Sequence, residues 1–252
     1  MSVSKLNPTI SDKIFIDMLK SKINGGEPLS LVRYGDGELN ILRNRLTSYL
    51  ENYFRKVCGY RDPYQGLAEC RKILLKTLNE ADVIGVMGNN EITKKLPNVE
   101  KWKFDQKFIA ESKRQKNLIA VDNMIVRGPI LGDVKKLKEI INGRPICIVT
   151  GIADKLKENN ISDHLETDVR LIKTQWGIQL HNRESIFKEL NTINEDIVLV
   201  GCSLIGKDFC TYLRKKGKIC LDVGATLDAW AGIITRPWFR NIQSHCLIKQ
   251  SK

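Results

Sequence analysis

The feature that most restricts this chain is a recurrence of short runs that are largely apolar on both faces. They are Leu29 to Tyr34, Val83 to Met87, Leu118 to Val121, Ile146 to Val149, Ile197 to Val200 and Ile219 to Val223. A strand with one face in water alternates polar and apolar residues, whereas a strand covered on both faces reads as a continuous apolar run. Between the runs lie segments with helical spacing, for example Leu67, Cys70, Leu74 and Leu78. Doubly covered strands that alternate with helices predict an α/β class, a Rossmann-like doubly wound, mostly parallel sheet with helices on both faces. Such a sheet takes ligands at the carboxyl ends of its strands.

Local signals sharpen the pattern. Ser11 reads as the N-cap of a first helix carrying Ile14, Phe15, Met18, Leu19 and Ile23, with Gly25-Gly26 as its stop. Leu39, Leu42, Leu46 and Leu50 recur with helical spacing after the first strand. Near the C-terminus, Ile197 to Val200, a helix around Phe209 and Leu213, a stop at Gly217 and Ile219 to Val223 make one βαβ unit. No internal repeat or Pro/Ser-rich linker divides the 252 residues, so they are read as a single domain over 1–252. The least regular stretch, 50–66, with Tyr53, Phe54, Tyr60, Arg61, Pro63 and Tyr64, is expected to be an inserted active-site loop.

Composition removes several classes. With 42% hydrophobic and 28% charged residues, the chain is neither disordered nor collagen-like. Its apolar runs fall far short of the roughly 20 residues that span a bilayer, and Met1 to Leu6 lacks the apolar core of a secretory signal, so a cytoplasmic location is expected. The seven Cys lack C-x-x-C spacing and the three His show no metal-pair spacing; neither a disulfide framework nor a zinc knuckle is indicated. The net charge of +12 invites anionic partners. Basic pairs such as Lys94-Lys95 and Lys215-Lys216 are scattered, however, and no segment interleaves Arg with aromatics, so no nucleic-acid partner is expected.

Three constellations carry chemistry. Arg33-Tyr34-Gly35-Asp36-Gly37-Glu38 sits at a strand-to-helix turn, where two carboxylates flanked by glycines can hold a hard divalent cation through oxygen. The plainer reading is an Asp/Gly turn with Glu38 capping the next helix and Arg33 paired to Asp36. Gly201-Cys202-Ser203-Leu204-Ile205-Gly206-Lys207-Asp208 is nearly a P-loop, but Asp208 replaces the Ser or Thr that would reach Mg²⁺ and would turn a negative charge toward the phosphates. Its backbone N–H groups, with Gly201, Gly206 and Lys207, still suit an anion such as a diphosphate. In the third, Asp222 ends a strand, Gly224 opens space, and Asp228, Trp230 and Arg236 follow. Carboxylates that take hydroxyls and an indole face that takes a pyranose fit a sugar site, with core packing as the plainer reading for Trp230 and Trp238.

Together, Arg-Tyr-Gly-Asp-Gly-Glu after the first strand, Gly201 to Lys207, and Leu221-Asp222-Val223-Gly224 with Asp228 resemble the GT-D-fold glycosyltransferases, from about residue 28 to 236. The resemblance implies that Asp36 and Glu38 bind a metal, Mn²⁺ or Mg²⁺, that holds a nucleotide-sugar diphosphate. It also implies that Arg33, Gly35 and Gly37 belong to the same donor site. Members often carry Asp-Ile-Gly-His after the later strand; Ala225 stands at the His position here, as in a branch with Gly-Ser or Gly-Ala followed by Asp-x-Trp-Ala-Gly. The activity so implied is a metal-dependent transfer of a hexosyl group from a nucleoside diphosphate sugar, UDP-sugars among the candidates, to the glycan of a surface polysaccharide or glycoprotein. In that chemistry the cation, with Arg33 or Lys207, stabilises the departing diphosphate, and Asp228, or else Asp222, accepts the acceptor's proton. Rival readings are a degenerate P-loop phosphohydrolase, a methyltransferase using the Gly201 turn, and a non-catalytic basic module that binds nucleic acid.

Overall fold

The Ser11 hydroxyl accepts a hydrogen bond from the Ile14 N–H and starts a helix over Asp12–Gly25, which Gly26 closes in the left-handed conformation at φ 63°. In this computed structural model, which describes residues 4–94, 99–114, 116–174 and 183–233, the helix leads into a sheet at the centre of the fold. The strands are β1 (Lys5–Leu6), β2 (Leu29–Arg33), β3 (Val83–Val86), β4 (Phe104–Asp105), β5 (Ile119–Asp122), β6 (Ile146–Thr150), β7 (Val169–Lys173), β8 (Ile197–Gly201) and β9 (Ile219–Asp222). Seven of them form one sheet in the order β5-β3-β2-β9-β8-β6-β7, and every pairing in it is parallel. β1 and β4 form a separate antiparallel pair.

The apolar runs are buried on both sides, as their composition requires. Along β2, Leu31 points into one core and Val32 into the other. The same alternation places Ile146, Leu199 and Leu221 with Leu31, and Cys147, Val200 and Cys220 with Val32. One core is closed by helix Pro63–Glu80 and helix Gly206–Lys215; the other by helix Asp12–Gly25 and helix Val134–Ile141. Each fully buried Leu, Ile or Phe side chain contributes about 1.5–3 kcal/mol.

Strand order positions the site. From β2 the chain moves outward through β3 to β5, then crosses to the far edge, β6 and β7, and returns inward through β8 to β9. With right-handed crossovers, that reversal puts connections on opposite faces and leaves a crevice above the carboxyl ends of the central strands.

Three expectations change. The leucines at 39, 42, 46 and 50 do not share one helix: Asp36–Leu42 ends, Asn44 turns left-handed at φ 58°, and Thr47 caps a new helix, Ser48–Asn52. The 50–66 stretch is not mainly a loop, because that helix runs into a π-helical turn, Tyr53–Val57, and Asp62 caps the helix that begins at Pro63. β7 had no apolar signal, since its sequence Val-Arg-Leu-Ile-Lys lies at a sheet edge with only Ile172 buried. Among the described residues, no helix is long and apolar enough to cross a membrane.

Candidate active site

Arg33 and Asp222 are the last residues of adjacent parallel strands, and their side chains meet over the sheet's edge. Arg33 donates from Nε to the Asp222 carbonyl at 2.6 Å, from Nη2 to Oδ1 at 3.0 Å, and from its backbone N–H to Oδ2 at 3.2 Å. Its Nη1 donates to Asn123 Oδ1 at 3.2 Å, just past the end of β5. Gly224, with φ +52°, makes room for the guanidinium: a Cβ there would lie 2.0 Å from Arg33 Nη2. The glycine is therefore required twice, by conformation and by close approach.

Lys207 comes to the same point from helix Gly206–Lys215. Its ammonium lies 2.8 Å from Glu38 Oε1 and 3.3 Å from Asp222 Oδ2, with only 3% of the side chain exposed. The other carboxylate oxygen of Glu38 accepts the Gly35 N–H at 2.9 Å, the capping bond expected of a glutamate at the third helical position. Burial alone would raise the Asp222 carboxyl, but Arg33 and Lys207 outweigh it and hold the group below its ordinary value. Burial would likewise raise Glu38, and Lys207 holds it down. Burial would lower Lys207; Asp222 and Glu38 overcome that and raise it. The four groups form a charge-balanced floor, and the shifts of Glu38, Asp222 and Lys207 all favour the charged form.

Above this floor opens a cavity of about 620 Å³. Part of its lining comes from strand ends: Thr150 and Gly151 at the end of β6, Thr174 just beyond β7, and Gly201, Cys202 and Ser203 at the end of β8. Gly224, Ala225 and Asp228 line it from the segment after β9, and Arg127 from the π-helical turn Val126–Ile130. One wall is the segment Ser48–Val57, which contributes Tyr49, Asn52, Tyr53, Lys56 and Val57. Arg33, Lys56, Arg127 and Lys207 face Glu38, Asp222 and Asp228, so the lining carries one more positive charge than negative.

A family signature described as a GT-D fold-like domain matches residues 10–230, most of the chain. The chain belongs to the GT-D fold-like family. Among solved structures it is similar to one described as a new glycosyltransferase (DUF1792) from Streptococcus sanguinis. That match has a TM-score of 0.55 and 17% identity and covers 84% of this chain and 80% of that one. It is also similar to a structure reported as showing that the domain of unknown function 1792 has a distinct glycosyltransferase fold, with a TM-score of 0.57 and 17% identity over 87% of this chain and 79% of the other. No curated protein matches the chain.

Within this GT-D fold, Arg33, Glu38, Gly201, Lys207, Asp222, Gly224 and Asp228 converge on one cavity. Gly206 instead packs its helix against β8, where a Cβ would come 3.0 Å from Val200 Cγ1. Arg236 and Trp238 lie outside the described residues. Trp230 offers no face to a sugar: it is fully buried and donates from Nε1 to the Gly132 carbonyl at 2.8 Å. Arg33 pairs with Asp222 and not with Asp36. Asp222 is poorly suited to be the proton acceptor, because Arg33 and Lys207 occupy its oxygens and hold its carboxyl down. Asp208 does not approach a phosphate position either; it is buried with Lys76 at 3.1 Å and Arg183 at 3.5 Å.

A divalent ion at Asp36 and Glu38 would need both carboxylates turned to one point. Asp36 and Glu38 are the first and third residues of helix Asp36–Leu42, and residues two apart on a helix do not face each other. Glu38 reaches the cavity with both oxygens engaged, by an ammonium and by an N–H, while Asp36 is at the partly exposed start of the helix. No group of three or more His, Cys, Asp or Glu placed to hold an ion occurs among the described residues. As arranged, the pair does not fit Mn²⁺ or Mg²⁺. Gly35 and Gly37 shape the same turn, Gly35 through its N–H to Glu38.

Sequence reasoning pointed to the 50–66 stretch, with Tyr53, as an active-site segment but read it as a loop and did not single out Tyr49, Asn52 or Lys56. With Tyr53 these recur at three- and four-residue steps, the spacing of one helical face, while the apolar Leu46 and Leu50 drew the register instead.

Proposed function

We propose that this protein transfers a hexosyl group from a nucleoside diphosphate sugar to the hydroxyl of a glycan acceptor, of a surface polysaccharide or a glycoprotein. One observation carries the reading: a cavity at the strand carboxyl ends of a glycosyltransferase fold, with Lys207 fixed on its floor beside a glycine-rich turn. In the transfer, the bond from the sugar's anomeric carbon to the diphosphate oxygen breaks, and the electron pair leaves on the diphosphate. The acceptor oxygen bonds to that carbon and gives up its proton.

Each part of the cavity has a role in this chemistry. Lys207, the N–H groups of the 201–206 turn, Arg127 and Lys56 supply positive potential where the diphosphate gathers charge. Arg33 acts mainly as the strut that fixes Asp222, and through it Lys207. Asp228 takes the proton when the anomeric centre inverts, as a carboxylate that lines the cavity from the first turn of helix Thr226–Trp230. Thr150 and Thr174 face the sugar's hydroxyls. A cytoplasmic location agrees with the six buried free cysteines among the described residues, at 58, 70, 147, 202, 210 and 220.

The test is release of nucleoside diphosphate from a panel of nucleotide sugars, with and without Mn²⁺, by the intact chain and by Lys207→Met and Asp228→Asn. Wild-type release that falls about 100-fold or more in both variants is expected, since general-base catalysis alone is worth about 10²–10⁴. Equal turnover by all three proteins removes the assignment. Restoration of activity only by Mn²⁺, lost in Asp36→Asn, would reinstate the metal pair.

A further inference from the structure

The cavity lining holds two chemically different sets of residues. Thr150, Thr174 and Asp228 offer hydroxyls and a carboxylate, the partners of sugar hydroxyls. Tyr49, Asn52, Tyr53 and Lys56, at the spacing of a single helical face, offer aromatic rings, a carboxamide and an ammonium. The other face of that segment is core, with Leu50 and Phe54 buried. Tyr49 lines the cavity yet is 62% exposed, so the fold does not use its ring for packing.

Two details tie this wall to the diphosphate end. The segment becomes π-helical at Tyr53–Val57, where the Cys58 N–H bonds the Tyr53 carbonyl at 3.0 Å. Such turns are rare overall and frequent at functional sites. Tyr53 also lines the same cavity as Ser203, in the turn that leads to Lys207, and Ser203 holds a left-handed backbone at φ 51°. A ligand with its diphosphate at that turn would lie next to Tyr53 and reach Tyr49 and Asn52 at its far end.

We propose that Tyr49 and Asn52 form the nucleobase subsite, the Tyr49 ring stacking on the base and the Asn52 carboxamide bonding its edge. Every base has a π-face, and a carboxamide offers both a donor and an acceptor to a heteroaromatic edge. This rests on the nucleoside diphosphate sugar as donor and adds which residues recognise its base.

Calorimetric binding of UDP, GDP, CDP and ADP, and separately of inorganic pyrophosphate, to the intact chain with and without Mn²⁺ tests it. Tyr49→Ala is expected to weaken the best-bound nucleotide about tenfold, in line with one lost base stack, and to leave pyrophosphate affinity within about twofold. Tyr49→Trp should retain nucleotide binding, and Asn52→Ala should narrow the difference between bases. The exposure of both side chains keeps these variants folded. Nucleotide affinity unchanged in Tyr49→Ala, or pyrophosphate affinity falling in parallel, overturns the subsite while leaving the donor reading intact. Failure of the wild-type chain to bind any of the four nucleotides overturns both.

Discussion

Two aspartates at opposite ends of the sheet have nearly the same surroundings and different uses. Asp82, just before β3 at the amino ends of the strands, accepts from Arg214 Nε at 2.9 Å and Nη2 at 3.0 Å, from Lys116 at 2.9 Å and from the Ser30 N–H at 3.0 Å. Asp222, at the carboxyl ends, accepts from Arg33, Lys207 and the Arg33 N–H. Both carboxyls are held below their ordinary values against the opposing effect of burial. The second lies at the base of the cavity, and there one cation is shared with a second acid, Glu38. A paired acid is thus a structural device at either end. What makes the carboxyl end a site is the crevice left by the reversal of strand order, whose lining includes Lys207 and Ser203.

The sharpest break of this comparison is Asp222→Asn. It leaves Arg33 and Lys207 buried with Glu38 as their remaining charge partner, and removing one member of a buried ion cluster costs about 3–5 kcal/mol. Urea unfolding should show that loss, with nucleotide binding impaired as Lys207 moves. The cluster also sets a pH window. Glu38 and Asp222 titrate lower folded than unfolded, so their stabilisation is present above about pH 4 and is lost as pH falls through the folded values. Lys207 titrates higher folded, so its stabilisation is present below about pH 10 and is lost as pH rises through the raised value. Stability attributable to the cluster should be flat between these limits and fall on both sides; in Asp222→Asn the acid limb should be shallower.

Asp82→Asn is the matched control. Its partners are more exposed, with Arg214 at 35% and Lys116 at 46%, so solvent screens the loss and about 1–2 kcal/mol is expected. Binding at the far end of the sheet should not change. If Asp82→Asn impairs nucleotide binding as much as Asp222→Asn does, the contrast between the two ends is wrong.

The same contrast explains what the sequence could reveal. Strands buried on both faces announce themselves through Ile197 to Val200 and its counterparts, because a parallel sheet demands apolar residues at every position. The topological position of Arg33, Gly201, Lys207 and Asp222 followed from that, since each sits at or just beyond a strand's carboxyl end. Their pairings did not follow. Arg33 has Asp36 three residues away in sequence, yet it bonds Asp222, 189 residues distant, because β2 and β9 are neighbours only in the folded sheet. Trp230 was open in the sequence for a related reason: a Trp next to an acid and small residues has the composition of a sugar platform as well as of a core residue, and helix Thr226–Trp230 decides for the core by turning the indole toward Gly132. The helical face at Ser48–Val57 was hidden because its informative residues are polar, and the break at Asn44 changes the helical register that the leucines implied.

The smallest expected effect separates the two acids that the sequence joined. Asp36 and Glu38 stand two apart, but the helix that starts at Asp36 sends them different ways, and only Glu38 reaches Lys207. At the first helical position Asp36 interacts favourably with the helix dipole, a contribution of about 0.3–1 kcal/mol that Asp36→Asn would remove. Glu38→Gln removes a charge partner of the buried Lys207 and is expected to cost several times more, about 2–4 kcal/mol. Comparing their unfolding midpoints and their nucleotide affinities side by side, in EDTA and in Mn²⁺, tests whether the two act as a unit. Similar losses in both variants that appear only with Mn²⁺ would mean that an ion draws the two carboxylates together. A loss confined to Glu38→Gln and indifferent to the metal would mean that Glu38 serves the cavity by holding Lys207 in place.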